Sequence, residues 1–134
     1  MDDQDMRDED YRRLARFRRE LRLFLRFSED AARAAGLTPQ HYQTLLAIRA
    51  GPEEGMLVGE LAEQMLLKPH SMTGLIDRLA EAGLVARMRG AADRRQVRVI
   101  ATPHARDMLA RLADAHRAEL RRLKPTLGEL IASL

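Results

Sequence analysis

Cysteine and tryptophan are absent from this 134-residue chain, and aromatic residues make up only 4% of it. Without cysteine there is no disulfide framework, no thiolate nucleophile and no thiol redox switch. No apolar run approaches the ~20 residues that a bilayer-spanning helix needs. The opening MDDQDMRDED is acidic where a secretion signal would be basic and then apolar, so a cytoplasmic location is expected. There is no internal repeat and no low-complexity linker. Hydrophobic residues still reach 46%, which argues against disorder of the whole chain. With so few rings, the core falls to Leu, Ala, Met and Val, which favours helices. The length suits one domain, or a compact subunit that shares a core with a partner.

The charges are segregated rather than abundant in one sign. Lys and Arg number 23 against 20 Asp and Glu, a net charge of only +3. Yet residues 2–10 are almost all acidic, while residues 12–33 and 87–98 are strongly basic. Such asymmetry points to a surface that faces a polyanion. The plain alternative for each run is a solvated helix face, and for the acidic lead a solvated tail.

The stretch Gly83–Pro103 carries the sharpest signal. Two strand-like runs, Leu84–Arg89 and Gln96–Thr102, flank a turn containing Gly90 and Asp93, which predicts a β-hairpin. Arg87, Arg89, Arg94, Arg95 and Arg98 crowd it. Arginines at a hairpin tip suit phosphates and a narrow minor groove. Before it, Val58–Ala82 reads as helix–turn–helix. Its second helix starts at Pro69, with Met72, Leu75, Ile76 and Leu79 on an inner face at i, i+3, i+4, i+7. The outer face then presents His70, Ser71, Thr73, Gly74, Asp77 and Arg78. Short polar side chains at a helix N-terminus let the backbone approach base edges. Met56-Leu57 is a candidate short strand for the hairpin.

Long helices flank this core. Residues 10–35 place Leu14, Phe17, Leu21, Phe24 and Ala31 on one stripe, ending at Gly36. Thr38-Pro39 and Thr102-Pro103 each read as an N-cap followed by proline at the first helical position. The last helix repeats Leu109, Leu112, His116, Leu120 and Leu123 in a coiled-coil-like seam. Pro125 is expected to break it and leave a short final helix over Leu127–Leu134. Both stripes exceed what a small domain can bury alone, so a second copy of the chain is expected against residues 10–35 and 103–134.

In this order, the elements resemble the MarR family of winged helix-turn-helix transcription regulators. The marks are Gly36-Leu37-Thr38-Pro39-Gln40, Val58-Gly59-Glu60-Leu61-Ala62-Glu63, Gly74-Leu75-Ile76-Asp77-Arg78-Leu79, Ala82-Gly83-Leu84-Val85, Ala92-Asp93-Arg94-Arg95 and Ala101-Thr102-Pro103. The resemblance spans Leu14–Leu123. It implies a mainly α fold with a small β-wing (α+β), in which 38–102 form the DNA-binding lobe, 69–82 the recognition helix and 84–102 the wing. It also implies a homodimer on a pseudo-palindromic double-stranded DNA site, acting as a ligand-responsive repressor. Ser71 and Thr73 match positions that meet bases or phosphates. Asp93 and Arg95 match a wing pair in which the acid orients the arginine, and Arg94 matches an added basic position. Lys68, His70, Gly74 and Arg78 complete the expected DNA-facing set. A small aromatic or anionic effector is implied between the dimer and DNA-binding regions, with Tyr11, Arg16, His41 and Tyr42 as candidate contacts. The chain departs from the pattern at Leu66, where glycine is frequent, at Leu57, where a Thr or Ser cap is common, at Lys68-Pro69, and at Gly74, where many members carry Arg.

Other chemistries lack a constellation. His41, His70, His104 and His116 form no pair at metal-ligand spacing on one helix, so no metal and no cofactor is expected. His70 and Ser71 are adjacent on a helix and do not face each other, which argues against a nucleophile and its base. Asp77-Arg78 reads either as a DNA-reading arginine with a steering acid or as an ion pair holding helix to wing. Met65, Met72, Met88 and Met108 read as core filling before they read as an adaptable pocket. The rival function is a winged-helix dimer that acts on another protein without specific DNA binding.

Overall fold

A computed structural model describes residues 5–90, 93 and 95–133. The order is α1 (Asp8–Ala34), α2 (Pro39–Ala50), β1 (Met56–Leu57), α3 (Val58–Met65), α4 (Pro69–Glu81), β2 (Val85–Arg89), β3 (Val97–Ala101) and α5 (Pro103–Ala132). This is the mainly helical architecture with a small wing that the sequence predicts.

Local chemistry fixes most of the boundaries. Asp8, Glu9 and Asp10 occupy the first turn of α1 and Arg33 the last, each charge complementing the helix dipole. At the end of α1, Leu37 N–H donates to the Ala32 carbonyl and Gly36 N–H to that of Arg33, both at 2.9 Å. Gly36 sits at φ +86°, the left-handed residue this closure requires. The end of α4 repeats the device with Gly83 and Leu84. Thr38 Oγ accepts from His41 N–H at 3.0 Å and Thr102 Oγ from Ala105 N–H at 3.2 Å, capping α2 and α5 ahead of their prolines. The Thr102 hydroxyl also donates to the Gly83 carbonyl at 2.8 Å, tying the wing's exit to the end of α4.

The three strands lie in the order β1-β3-β2, all antiparallel. Met56 pairs with Val99, and Val85 with Ala101. The core sits between this sheet and α2–α4, around fully buried Leu45, Leu61, Met72, Ile76, Leu79 and Val99. Met72 is therefore core, while Met88 lies half open on the wing.

The helical arm is the long pair α1 and α5. Two expectations about α5 change here. Helix α5 runs through Pro125 to Ala132. An interior proline costs about 3 kcal/mol. Beyond it Leu130 is buried, as Leu123 is before it, and full burial of a leucine returns about 1.5–3 kcal/mol. The seam is also largely consumed inside the protomer: Leu109, Leu112, His116 and Leu123 are all buried. His116 Nδ1 meets the Leu112 carbonyl at 2.6 Å, and Nε2 meets Ser28 Oγ at 2.7 Å. Its ring stacks on Tyr42 at 5.1 Å between the edges of Phe24 and Phe27. Exposed apolar side chains remain on the arm, among them Leu14, Leu21, Leu23 and Leu25 on α1 and Leu120 and Ile131 on α5.

The turn between α3 and α4 carries a cost. Leu66 adopts φ 57°, the one left-handed non-glycine among the described residues, and is 91% exposed. Its neighbours form the same closure as Gly36, with Leu67 N–H donating to the Ala62 carbonyl at 2.9 Å. Leu66→Gly is expected to stabilise the fold by about 1 kcal/mol, since left-handed backbone costs an L side chain roughly 1–2 kcal/mol and glycine's extra chain entropy offsets part of it. Thermal unfolding of the two chains checks this, and an unchanged or lower midpoint contradicts it.

Candidate nucleic-acid interface

Helix α4 has two faces by construction. Met72, Leu75, Ile76 and Leu79 anchor it in the core, which leaves His70, Ser71, Thr73, Asp77 and Arg78 exposed and Gly74 half-buried. Lys68 precedes the helix and is exposed too. Burial of the inner stripe fixes the rotation of α4, so the outer face follows from the core. Thr73 Oγ donates to the Pro69 carbonyl at 3.1 Å, which commits its proton to the helix and leaves only acceptor capacity. Among the described residues Ser71 has no such bond, and its hydroxyl can both donate and accept.

The wing's arginines divide by partner. Arg87 forms an ion pair with Asp77 across the gap between β2 and α4. Asp77 therefore serves the structural alternative rather than steering Arg78. Arg98 Nη1 donates to the Gly55 carbonyl at 3.0 Å and pins the loop before β1. That loop turns tightly at Gly55, φ +103°, where a Cβ would lie 2.9 Å from the Val99 carbonyl oxygen. Both arginines belonged to the basic cluster of the sequence and are spent on the fold.

Arg95 is different. Asp93 Oδ1 accepts from the Arg95 backbone N–H at 2.9 Å, an Asx-type turn, and lies 3.6 Å from Arg95 Nε. Gly90 N–H donates to the Gln96 carbonyl at 3.0 Å and Gln96 N–H to that of Asp93 at 3.1 Å, closing the tip. The Arg95 side chain is 94% exposed. The acid thus shapes the backbone and leaves the guanidinium in solvent. Arg94 lies outside the described residues. Arg78 and Arg89 make no ion pair among the described residues.

The candidate effector contacts are not brought together. Tyr11 is exposed near the start of α1, and Arg16 lies beside Glu129 at the far end of the arm. Tyr42 is buried against His116, and burial raises its phenol pKa. His41 points elsewhere, because adjacent helical residues face apart. Burial, then the nearby Arg78 guanidinium, lowers the His41 pKa below the usual imidazole value. Nothing local in the sequence signals the contact between His116 and Ser28, 88 residues apart, which joins α5 to α1. Among the described residues no group of His, Asp or Glu could hold a metal, and no helix is long and apolar enough to cross a membrane.

A helix–turn–helix whose second helix is followed by a β2–β3 hairpin wing, completed to three strands by β1, is a winged helix-turn-helix fold. The MarR family's model matches residues 35–96, the span from the end of α1 into the wing. It is 35% identical over 94 residues to the HTH-type transcriptional regulator YcgE of Bacillus subtilis (strain 168), covering 66% of this chain. The match spans 59% of YcgE, about three-fifths of that relative's length. Among solved structures, CouR of Rhodococcus jostii RHA1 bound to p-coumaroyl-CoA superposes with a TM-score of 0.66 at 25% identity, over 83% of this chain and 80% of that one. A mutant of S. aureus MepR bound to an oligodeoxyribonucleotide superposes at 0.72 with 16% identity, over 87% and 94%.

The wing geometry makes a direct prediction. Asp93→Ala should accelerate hydrogen exchange of the Arg95 amide severalfold and leave global unfolding unmoved, because the lost bond is local and exposed. Asp77→Ala should cost no more than about 1 kcal/mol in stability, as exposed ion pairs do. Its clearer effect should be faster exchange along β2. A global loss of protection in either variant would give these acids a different role.

Proposed function

We propose that this chain is a sequence-specific, double-stranded DNA-binding transcription regulator, acting as a homodimer and ligand-responsive repressor. One observation carries the reading: α4 and the wing tip, linked through the Asp77–Arg87 pair, both expose cationic and short polar groups that the fold does not use. Arg95 and Arg78 carry charge, Ser71 carries an uncommitted hydroxyl, and Lys68 and His70 stand at the N-terminus of the helix. MepR's complex with an oligodeoxyribonucleotide supports it, because the same fold there meets DNA. In this reading residues 38–102 form the DNA-binding lobe, with Lys68, His70, Ser71, Thr73, Gly74 and Arg78 at the major groove. Asp93, Arg94 and Arg95 stand at the minor groove. Residues 10–35 and 103–134 hold the dimer, through Leu14, Leu21, Leu25, Leu120 and Ile131. The ligand response draws support from CouR's bound p-coumaroyl-CoA.

Sedimentation of the chain at micromolar concentration should give about twice 15.2 kDa. A two-fold dimer meets half-sites about one helical turn, ~10 bp, apart, so inserting half a turn between them should abolish tight binding. Titration onto duplex at two salt concentrations separates this reading from a protein-interaction module, which would show no salt-dependent binding. Ser71→Ala should cost about 1–3 kcal/mol of operator affinity if a base contact is lost. Thr73→Ala should cost less, its proton being already engaged. Arg95→Ala should weaken operator binding strongly while leaving dimer and melting temperature intact. Operator affinity within twofold for both Ser71→Ala and Arg95→Ala would overturn this placement.

A further inference from the structure

Without cysteine, sulfur oxidation in this chain falls to methionine, and the fold sorts its methionines by access. Met56 and Met72 are buried, and Met65 and Met108 are half-buried. Among the described residues only Met6, 46% exposed ahead of α1, and Met88, 49% exposed on β2, present an open thioether. Met88 has a distinctive neighbour. Strand β3 lies between β1 and β2, and Arg98 is the register partner of both Leu57 and Met88. Cross-strand partners project to one face, with Cβ atoms about 4.5–5.5 Å apart. The next residue, Val99, is fully buried, so the row Leu57–Arg98–Met88 lies on the outer face of the sheet. Within that row Arg98 leans toward β1. Its Nη1 donates to the Gly55 carbonyl at 3.0 Å, the one hydrogen bond of its side chain among the described residues. On its β2 side stands Met88, whose thioether is a weak acceptor.

We propose that Met88 is a site of reversible oxidation, and that its sulfoxide draws Arg98 off the Gly55 carbonyl and releases the loop before β1. The step is a two-electron oxidation by a hydroperoxide. The Met88 sulfur attacks one peroxide oxygen, the O–O bond breaks, and the other oxygen leaves as water or an alcohol, taking up the proton. The product is polar where the thioether was apolar. Its S=O oxygen is a strong acceptor on the side of Arg98 opposite Gly55. Acceptors rooted on β1 and β2 are two strand spacings apart, about 9–10 Å, so one guanidinium serves one side at a time. Strand β1 is only two residues long and has little pairing of its own to hold the loop once Arg98 lets go. The disturbance reaches the wing because β1 pairs with β3. Oxidation and loop release stand without the DNA reading, while any effect on duplex binding rests on it.

The full-length Met6→Leu chain, which lacks the other open thioether, is treated with hydrogen peroxide and followed by peptide mass spectrometry and amide hydrogen exchange. One added oxygen should appear at Met88 well before any at Met56 or Met72. Exchange across Gly55–Leu57 should then rise severalfold, and methionine sulfoxide reductases should restore it. Met88→Leu in the same background should keep its slow exchange under peroxide. Arg98→Ala should exchange fast before peroxide and no faster after it, and Arg98→Val serves the same purpose should Arg98→Ala fail to fold. Oxidation of Met88 no faster than of Met56 and Met72, or full oxidation with unchanged exchange, overturns the switch. A further rise on oxidation in the Arg98 variant overturns the part given to Arg98. On a duplex the chain binds, oxidation should weaken affinity severalfold in Met6→Leu and not when Met88→Leu is added. Unchanged affinity overturns the effect on DNA. Loop release in a chain that binds no duplex would overturn the DNA reading and leave the oxidation switch standing.

Discussion

One buried imidazole joins the two halves of this protein. His116 of α5 is held from three sides, by its own helix through the Leu112 carbonyl, by α1 through Ser28, and by α2 through the stacked ring of Tyr42. A carbonyl can only accept, so Nδ1 donates to Leu112, and Nε2 shares a hydrogen bond with the Ser28 hydroxyl. Every polar atom of the ring is satisfied, which is the condition for placing it among aromatic side chains without a penalty. The two long helices make the arm, and α2 is the first element of the lobe. Their relative position rests on this hydrogen-bonded, aromatic-lined contact together with a continuous hydrophobic core, in which Ala32, Ala105, Leu109 and Leu112 of the arm cluster with the lobe's buried residues.

From this junction the exposed chemistry follows in sequence. Helix α2 packs the lobe core, the core fixes the rotation of α4, and that rotation decides which residues of α4 reach solvent. The Asp77–Arg87 pair and the Thr102–Gly83 bond then carry the register of α4 into the wing. Arg95 stands at the end of this chain of constraints, on a tip closed by Asp93. Each step uses up polar groups and leaves the uncommitted ones at the surface. The wing shows the division well: Arg87 and Arg98 are bound inside the fold, while the Arg95 guanidinium, beside Asp93, stands in solvent.

Leu66 shows a different balance. The α3–α4 turn needs a left-handed residue to close α3, and a leucine occupies that position in full solvent exposure. The fold tolerates the strain because Leu67, the next residue, packs against the core and the closure bonds are intact. The turn is thus held by its neighbours rather than by its own preference.

The sequence alone determined what depends on neighbours a few residues away. Thr-Pro caps, Gly36 and Gly83 stops, the inner stripe of α4 and the strand–turn–strand of the wing were legible because capping, 3.6-residue periodicity and turn chemistry are local. So were the outward positions of Ser71, Thr73 and Arg78, which follow from the stripe opposite them. Only the tertiary structure decided how distant groups pair. Arg87 and Arg98 look alike in a basic run, and what distinguishes them from Arg95 is the reach of Asp77 and of the Gly55 carbonyl. Pro125 carries a real local penalty, and burial of leucines on either side of it, absent from any local window, outweighs it. Tyr42 and His41 are adjacent in sequence, yet one lies inside the junction and the other beside Arg78, because a helix turns consecutive side chains about 100° apart.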